Sequence, residues 1–536
     1  MKKITTLFLI LATAAGLYAQ TADDALNIAQ ERYEGTARSM AMGNAFTALG
    51  GDLGGLGINP AASGVFRYSQ FTVTPSLTTS RSNVDYLGSS SNTNNTGLTV
   101  SNLGVVLSYD TGNYNGLLNY NFGFVYNKKN NFRSKMTARG TTDQSSMLGS
   151  IAGRLNLYDN QGWWTDIDQQ TLESSNAYSI LSDYFWPGIL AWNAYALAPF
   201  YTDDAETNYI YIGSTENNYQ EFDANGKLVR DWITTGGPLN QRFNRKTYGS
   251  VEEFALNFGG NFNDFLYFGL NLNLHTLHQT TEEYYEEKAQ SANDFQDGFV
   301  SMDNSYWLHT SGAGINLKFG VIVTPVAGLR LGATFTTPTR YTLTDQWDYT
   351  MNTAFDNGKT YTEYSPTGEF SYKLTTPMRW SVGAAYTFWD RALISADYER
   401  VNYASIRYKN ENGGDSYFTD QNNDIQKNFR NASILRTGIE VRVNRLISLR
   451  TGYQHYTPAA AGLSTMRVYS AGIGFNIGEQ ATIDVAWTRT SDSKDTFQLY
   501  ESYATYDTGG LKSVTAPTGS NTHGMSQVAC TFGLKF

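Results

Sequence analysis

The sequence predicts an all-β fold: a transmembrane antiparallel β-barrel of about fourteen strands. Three observations lead there. Apolar and polar residues alternate through most of the chain, most cleanly where Leu266, Phe268, Leu270, Leu272 and Leu274 interleave with Tyr267, Gly269, Asn271, Asn273 and His275. A side-chain period of two gives one face to lipid and the other to a lumen. The connections alternate too. They are tight at 111–116, 263–265, 325–328, 389–391, 444–445 and 478–480, and mostly long and polar between, as at 80–101, 410–430 and 493–522. Outer-membrane barrels have this asymmetry, with short periplasmic turns and longer external loops. Finally, mean hydropathy is −0.39, and the mature chain has no run of about 18 apolar residues. That argues against a helical membrane protein but not against a barrel with a polar interior.

Composition supports one large architecture. The 536 residues carry 37 Tyr, 29 Phe, 10 Trp and 50 Gly against 11 Pro, with no composition break or linker to divide them. Aromatics and tight turns describe a β-rich chain. Cys530 is the sole cysteine, so neither an internal disulfide nor a Cys metal cluster can form. The formal charge is −10, and −12 once Lys2 and Lys3 leave with the leader described next. An acidic chain of this kind is not expected to bind nucleic acid.

In chain order, 1–19 reads as a secretory signal peptide: Lys2 and Lys3, an apolar 7–15, then Leu17-Tyr18-Ala19 before a mature start at Gln20. A brief helix follows with Asp23 or Asp24 as its N-cap. The segment 20–61 is the expected plug, and its 35–61 stretch reads GTARSMAMGNAFTALGGDLGGLGINPA. Met42, Ala45, Phe46 and Leu49 fall at helical spacing there, and Gly50-Gly51 ends the helix. The barrel then occupies 62–536. Its strands are expected near 67–79, 102–110, 118–129, 247–262, 266–280, 305–325, 329–348, 368–388, 392–409, 431–444, 446–458, 466–478, 481–493 and 523–536. An even number returns both ends to the periplasmic side.

The motif G-T-A-R-S-x-A-M-G-x-A-F-T-A-L-G-G-D, the Asn59-Pro60-Ala61 triplet and the strand-only body resemble the FadL/OmpP1/TodX family of outer-membrane transport proteins. In that family the N-terminal segment folds into the barrel as a plug, the hatch. The resemblance implies passive transport of small hydrophobic compounds, long-chain fatty acid-like molecules among them. Capture would occur at external loops, binding in the lumen beside the hatch, and release sideways through a gap made by a kinked strand. Gly123 in Tyr120-Asn121-Phe122-Gly123-Phe124 is the candidate for that kink, because glycine permits a bend. A final aromatic, Phe536, resembles the signal read by the barrel-insertion machinery, the one protein partner expected besides outer-membrane lipid and a hydrophobic ligand. The hatch supplies Met40, Met42, Phe46, Leu49, Leu53 and Ile58 as candidate ligand-contacting surfaces; packing against the wall is the other use of the same residues.

The longest insertion, about 130–247, must carry structure of its own. Met147, Leu148, Ile151, Ala152 and Leu155 have near-helical spacing. Trp163, Trp164, Phe185, Trp186 and Trp192 are either an extracellular capture groove or a satellite core with an interfacial belt. Enzyme motifs are missing: no G-x-S-x-G, P-loop or H-E-x-x-H occurs. His275, His278 and His309 lie on neighbouring strands, but without ligand spacing no metal or cofactor is expected. Glu282, Glu283, Glu286 and Glu287 form an acidic run read as solvated, a divalent-ion bridge being the sharper reading. A general porin, or a structural barrel carrying partner proteins, remains as an alternative.

Overall fold

The computed structural model describes residues 20–159, 162–202, 208–389, 391–414, 416–508 and 510–536. The expected signal peptide, 1–19, lies outside the described residues. Fourteen strands form the wall: β1 (Gln70–Tyr86), β2 (Ser89–Asp110), β3 (Leu117–Asn131), β4 (Leu239–Phe262), β5 (Leu266–Ala289), β6 (Phe299–Val326), β7 (Leu329–Thr336), β8 (Arg379–Phe388), β9 (Ala392–Asn402), β10 (Asn431–Arg442), β11 (Ile447–Tyr456), β12 (Met466–Ile477), β13 (Ala481–Thr490) and β14 (Thr518–Lys535). Each pairs antiparallel with the next, and β14 pairs with β1 from Lys535↔Gln70 upward, so the sheet closes into a barrel.

The alternating pattern has the consequence expected of it. Leu256, Phe258, Leu270, Leu272, Leu317 and Phe319 stand exposed on the outside, while Asn257, Asn271, Asn273 and Asn316 between them are buried in the lumen. The tight turns gather at one end, beside Phe536, whose N–H donates to the Ser69 carbonyl (3.0 Å). That end faces the periplasm.

Two long connections differ from expectation. Residues 80–101, read as a loop, continue β1 and β2 into a hairpin closed by Leu87 and Gly88 at positive φ. Ser, Thr and Asn dominate this extension, and its few apolar residues, the inward Val84 and Tyr86 among them, make too short an alternation to mark a strand. The expected strands 329–348 and 368–388 each break at a Thr-Thr-Pro: β7 stops at Thr336 before Pro338, and β8 begins at Arg379 after Pro377. Proline cannot donate to a ladder. The chain between leaves its neighbours, and Arg340–Phe355 pairs instead with the upper half of β6.

Above the wall, parts of 143–238 and 499–517 build an extracellular cap. Its four-stranded sheet combines Glu216–Phe222 and Leu228–Thr235 with Tyr503–Asp507 and Gly510–Val514.

Candidate functional site

The N-terminal segment fills the lumen. Gln20 Nε2 donates to Asp345 Oδ2 (2.6 Å) high on the extracellular side, and the chain descends from there to β1. The plug therefore does not begin at the periplasmic end. Helix α1 (Ala22–Ala29) is capped by Thr21, one turn earlier than Asp23 or Asp24, in a reciprocal pair with Asp24. Ala25, Leu26, Ile28 and Ala29 bury themselves in an apolar upper lumen with Tyr341, Leu343, Tyr372, Leu374, Ile406 and Tyr408.

Below it, α2 (Ala37–Ala41) is shorter than the spacing suggested. Gly43 and Asn44 turn the chain at positive φ immediately after Met42. A Cβ on Gly43 would lie 2.8 Å from the Thr437 carbonyl, so only glycine can follow the wall this closely. The conspicuous plug motif is then explained residue by residue. Thr36 caps α2 and donates from Oγ1 to Asp52 Oδ1 (2.6 Å), and Asp52 caps α3 (Leu53–Leu56) through Gly54 N at 2.9 Å. Asn59 Nδ2 donates to the Thr47 carbonyl (2.6 Å) and the Val321 carbonyl (3.2 Å), while its Oδ1 accepts from Ala61 N (2.9 Å). Pro60 opens the short 3₁₀ turn Pro60–Val65, where a missing N–H costs nothing.

The wall accommodates the plug by omitting side chains. A Cβ on Gly259, Gly269, Gly320, Gly332, Gly438 or Gly452 would fall onto plug atoms of Ser63, Pro60, Asn59, Thr47, Met42 or Gly43 respectively. Between these glycines, asparagines hold plug carbonyls: Asn121 to Ser63 (2.6 Å), Asn257 to Pro60 (3.1 Å) and Asn271 to Leu56 (2.9 Å). The sequence carried this belt as glycines on the inward face of successive strands. Gly123 is one of them, its missing Cβ facing Leu56. It is paired on both sides, to Val106 and to Asn257, so no kink opens there and the expectation for Gly123 is corrected.

The wall is incomplete elsewhere. Pairing of β2 with β3 ends at Asn102↔Asn127, although both strands run on upward. The edge of β3 that this leaves free is taken by the plug segment, Arg32 N and Glu34 N each donating to the carbonyls of Lys129 and Lys128 at 2.8 Å. Buried Glu34 accepts from Ser101 (2.8 Å) and Gln527 (2.7 Å), which ties the same segment to β2 and β14. Arg133 Nη1 reaches Asn95 Oδ1 (3.2 Å) across the outer part of the seam.

A buried ionic layer lies between α1 and the hatch. Glu31 pairs with Lys129 (2.7 Å) and Arg379 (3.4 Å); Glu399 pairs with Arg379 and Arg436, both at 2.8 Å. Lys318 Nζ donates to the Gly57 carbonyl. Only about 30 Å³ of cavity remains among these groups, beside Ile58.

Of the candidate hatch residues, Met40, Met42, Phe46, Leu49 and Leu53 are buried against the wall. Met40 meets Ala486 and Ala529, Phe46 meets Ala385, and Leu53 meets Val106 and Val125. Leu49 and Ile58 also line cavities. In the cap, Trp186 is 6% exposed and packs on Trp347 (5.8 Å) and Tyr178 (5.2 Å), so it belongs to a core rather than to a capture surface. Phe185 and Trp192 are half-buried at its margin, Trp192 against Tyr211. Trp164 pairs with Leu157, and the side chain of Trp163 lies outside the described residues.

The three histidines diverge. His275 is buried beside Asn316, His278 points outward to Glu252, and His309 stacks on Trp307. Among the described residues, no group of three or more His, Cys, Asp or Glu could hold a metal ion. The acidic run is paired across strands, Glu283 with Arg245 (2.6 Å) and Glu282 with Lys246 (3.3 Å). Glu287 is fully buried and accepts from Tyr285 OH (2.6 Å), Met147 N (2.8 Å) and Gln241 (2.9 Å). Burial pushes its carboxyl up to about 7.

The profile of the family described as outer membrane protein transport protein (OMPP1/FadL/TodX) matches residues 245–532, more than half the chain. The chain belongs to that family. It is accordingly an outer-membrane transport protein of a Gram-negative bacterium and not an enzyme. A Pseudomonas aeruginosa FadL homologue has the same fold, at a TM-score of 0.51 and 10% identity over 94% of this chain and 99% of that one. The Pseudomonas putida toluene transporter TodX matches at a TM-score of 0.48 and 13% identity, covering 95% and 100%. No curated protein sequence matches.

Proposed function

We propose that this member of the family carries small hydrophobic compounds, fatty acid-like molecules among them, across the outer membrane without an energy source of its own. Cargo is collected at the cap margin around Trp164, Phe185 and Trp192, enters the apolar upper lumen beside the plug, and leaves sideways between β2 and β3. One observation carries the reading: above Asn102↔Asn127 the β2–β3 ladder stops, and the seam is covered from inside by plug residues Arg32–Glu34 and crossed by side-chain hydrogen bonds, such as Thr93 Oγ1 to the Lys135 carbonyl, rather than by a backbone ladder. An element that moves to admit cargo would uncover that seam, so the proposed exit lies above Gly123. The apolar surroundings of α1 favour a greasy cargo, since apolar surface gains about 25 cal/mol per Å² on leaving water. The plug occupying the lumen argues against an open porin.

Uptake of radiolabelled oleate and of toluene into proteoliposomes tests this. With Asn95→Cys and Ser134→Cys in a Cys530→Ser background, a short bifunctional thiol reagent joins β2 across the seam to the short strand Ser134–Thr142, which pairs with the start of β4. Uptake should stop on cross-linking while the barrel remains folded. Unchanged uptake after complete cross-linking removes the lateral route, and absence of uptake by the uncross-linked protein removes hydrophobic transport itself.

A further inference from the structure

At the periplasmic end, beneath the plug, lies a cavity of about 170 Å³. Four adjacent wall strands, β7 to β10, contribute Arg330, Ala385, Arg391, Leu393, Glu440 and Arg442, and the plug contributes Arg38, Leu49 and Gly50. Four guanidiniums face one carboxylate there.

That carboxylate is already engaged. Glu440 is held by Arg38 at 2.9 Å and by Arg450 at 2.6 Å, and Arg450 also pairs with Asp484. Arg330, Arg391 and Arg442 make no ion pair among the described residues. Their backbones are fixed regardless: Arg442 N donates to the Arg391 carbonyl at 2.7 Å, and Arg330 sits opposite Ala385 in the β7–β8 ladder. Uncompensated cations converging on a concave space attract anions, and the guanidinium fork matches the two oxygens of a carboxylate or a phosphate. Leu49, Ala385 and Leu393 give the same space an apolar floor.

We propose that this cavity binds the oxyanion head of a single-chain amphiphile, with Arg330, Arg391 and Arg442 taking the anion and Leu49, Ala385 and Leu393 taking the first methylenes of its tail. Carboxylate and phosphate heads share this chemistry. The first would come from cargo, the second from lipid of the inner leaflet. The site does not depend on the lateral route above, since it lies at the opposite end of the plug.

Calorimetric titration of the full protein in a neutral detergent tests it, with decanoate, decyl phosphate and decanol as probes. Decanoate or decyl phosphate should bind, and decanol should bind at least about tenfold more weakly, the scale of one or two lost charge-assisted hydrogen bonds. Arg391→Gln/Arg442→Gln, both at exposed positions, should weaken the anions about tenfold and leave decanol unchanged. Preference for decanoate identifies a cargo head and preference for decyl phosphate a lipid head; either supports the site. Equal binding of decanol and decanoate, or undiminished anion binding by the double variant, overturns it. Toluene uptake should not change in the variant, so loss of transport and loss of this site are separate results.

Discussion

The plug and the extracellular cap both bury apolar residues on the same barrel, yet they are fitted in opposite ways. Around the plug the wall recedes: Gly259, Gly269, Gly320, Gly332, Gly438 and Gly452 leave room for plug backbone, and asparagines satisfy its carbonyls. Beneath the cap the wall advances. Tyr285, Met302, Trp347 and Tyr349 rise from strand extensions into a conventional core with Leu148, Ile151, Trp186, Ile189 and Leu190. The plug is seated by close backbone approach and hydrogen bonds as well as by burial of Met40, Met42, Phe46, Leu49 and Leu53, whereas the cap is held by aromatic burial.

This contrast can be broken most severely at the glycine belt. Gly452→Val puts a branched side chain where Gly43 lies, and overpacking costs about 1–3 kcal/mol or more at a site that cannot relax. The expected outcome is an unseated plug: the parent stays closed in a planar bilayer, while the variant, like a chain lacking 20–61, conducts steadily. A variant that stays closed would mean that the belt is not what seats the plug.

At the cap the corresponding break is Trp186→Ala, which empties a buried aromatic site and should cost the cap about 3–5 kcal/mol without opening the lumen. Limited proteolysis should then cut within 143–238 while heat-resistant migration of the barrel on gels is retained. Cleavage no faster than in the parent would remove Trp186 from the cap core.

A third effect depends on pH. Burial raises the carboxyls of Glu287 and Glu216 to about 7 each, from an ordinary value near 4.5. The unfolded chain releases these protons first, so cap stability is fullest below about pH 4.5 and falls as pH rises toward 7. Each group accounts for up to about 3 kcal/mol. Hydrogen exchange in the Met147–Leu155 helix should therefore quicken between pH 5 and pH 8, and Glu287→Gln should flatten the dependence. A variant that keeps the parent's slope would show that another group sets it.

The smallest effect belongs to Asn59→Ala, which removes the cap of the Pro60–Val65 turn and two bonds to the Thr47 and Val321 carbonyls. About 1–2 kcal/mol of plug stability should go with it. Brief single-channel openings, rather than a permanent pore, are the expected readout.

The sequence by itself determined the barrel. Alternation in β5, the in-phase turns and the Gly35–Ala61 motif follow from local rules that hold wherever a strand has lipid on one side and water on the other. The helix at Met147–Leu155 was legible for the same reason, since one apolar stripe fits one face. Local rules stop where the surroundings stop being two-sided. Residues 80–101 lie above the membrane, where neither face has to meet lipid, and Val84 and Tyr86, which turn into the cap core, make too short an alternation to mark a strand. Met42 to Leu49 have helical spacing, but Gly43 must follow the wall of β10 and β11, and that contact decides its backbone.

Only the tertiary structure decided which glycines are spaces rather than bends, and which aromatics are core rather than surface. It also gathered Arg330, Arg391 and Arg442, some sixty and fifty residues apart, around one cavity. The physical reason is common to all of these. A side chain's role is set by what stands opposite it, and in a closed barrel that neighbour is supplied by strands far away in sequence and by the segment threaded through the middle.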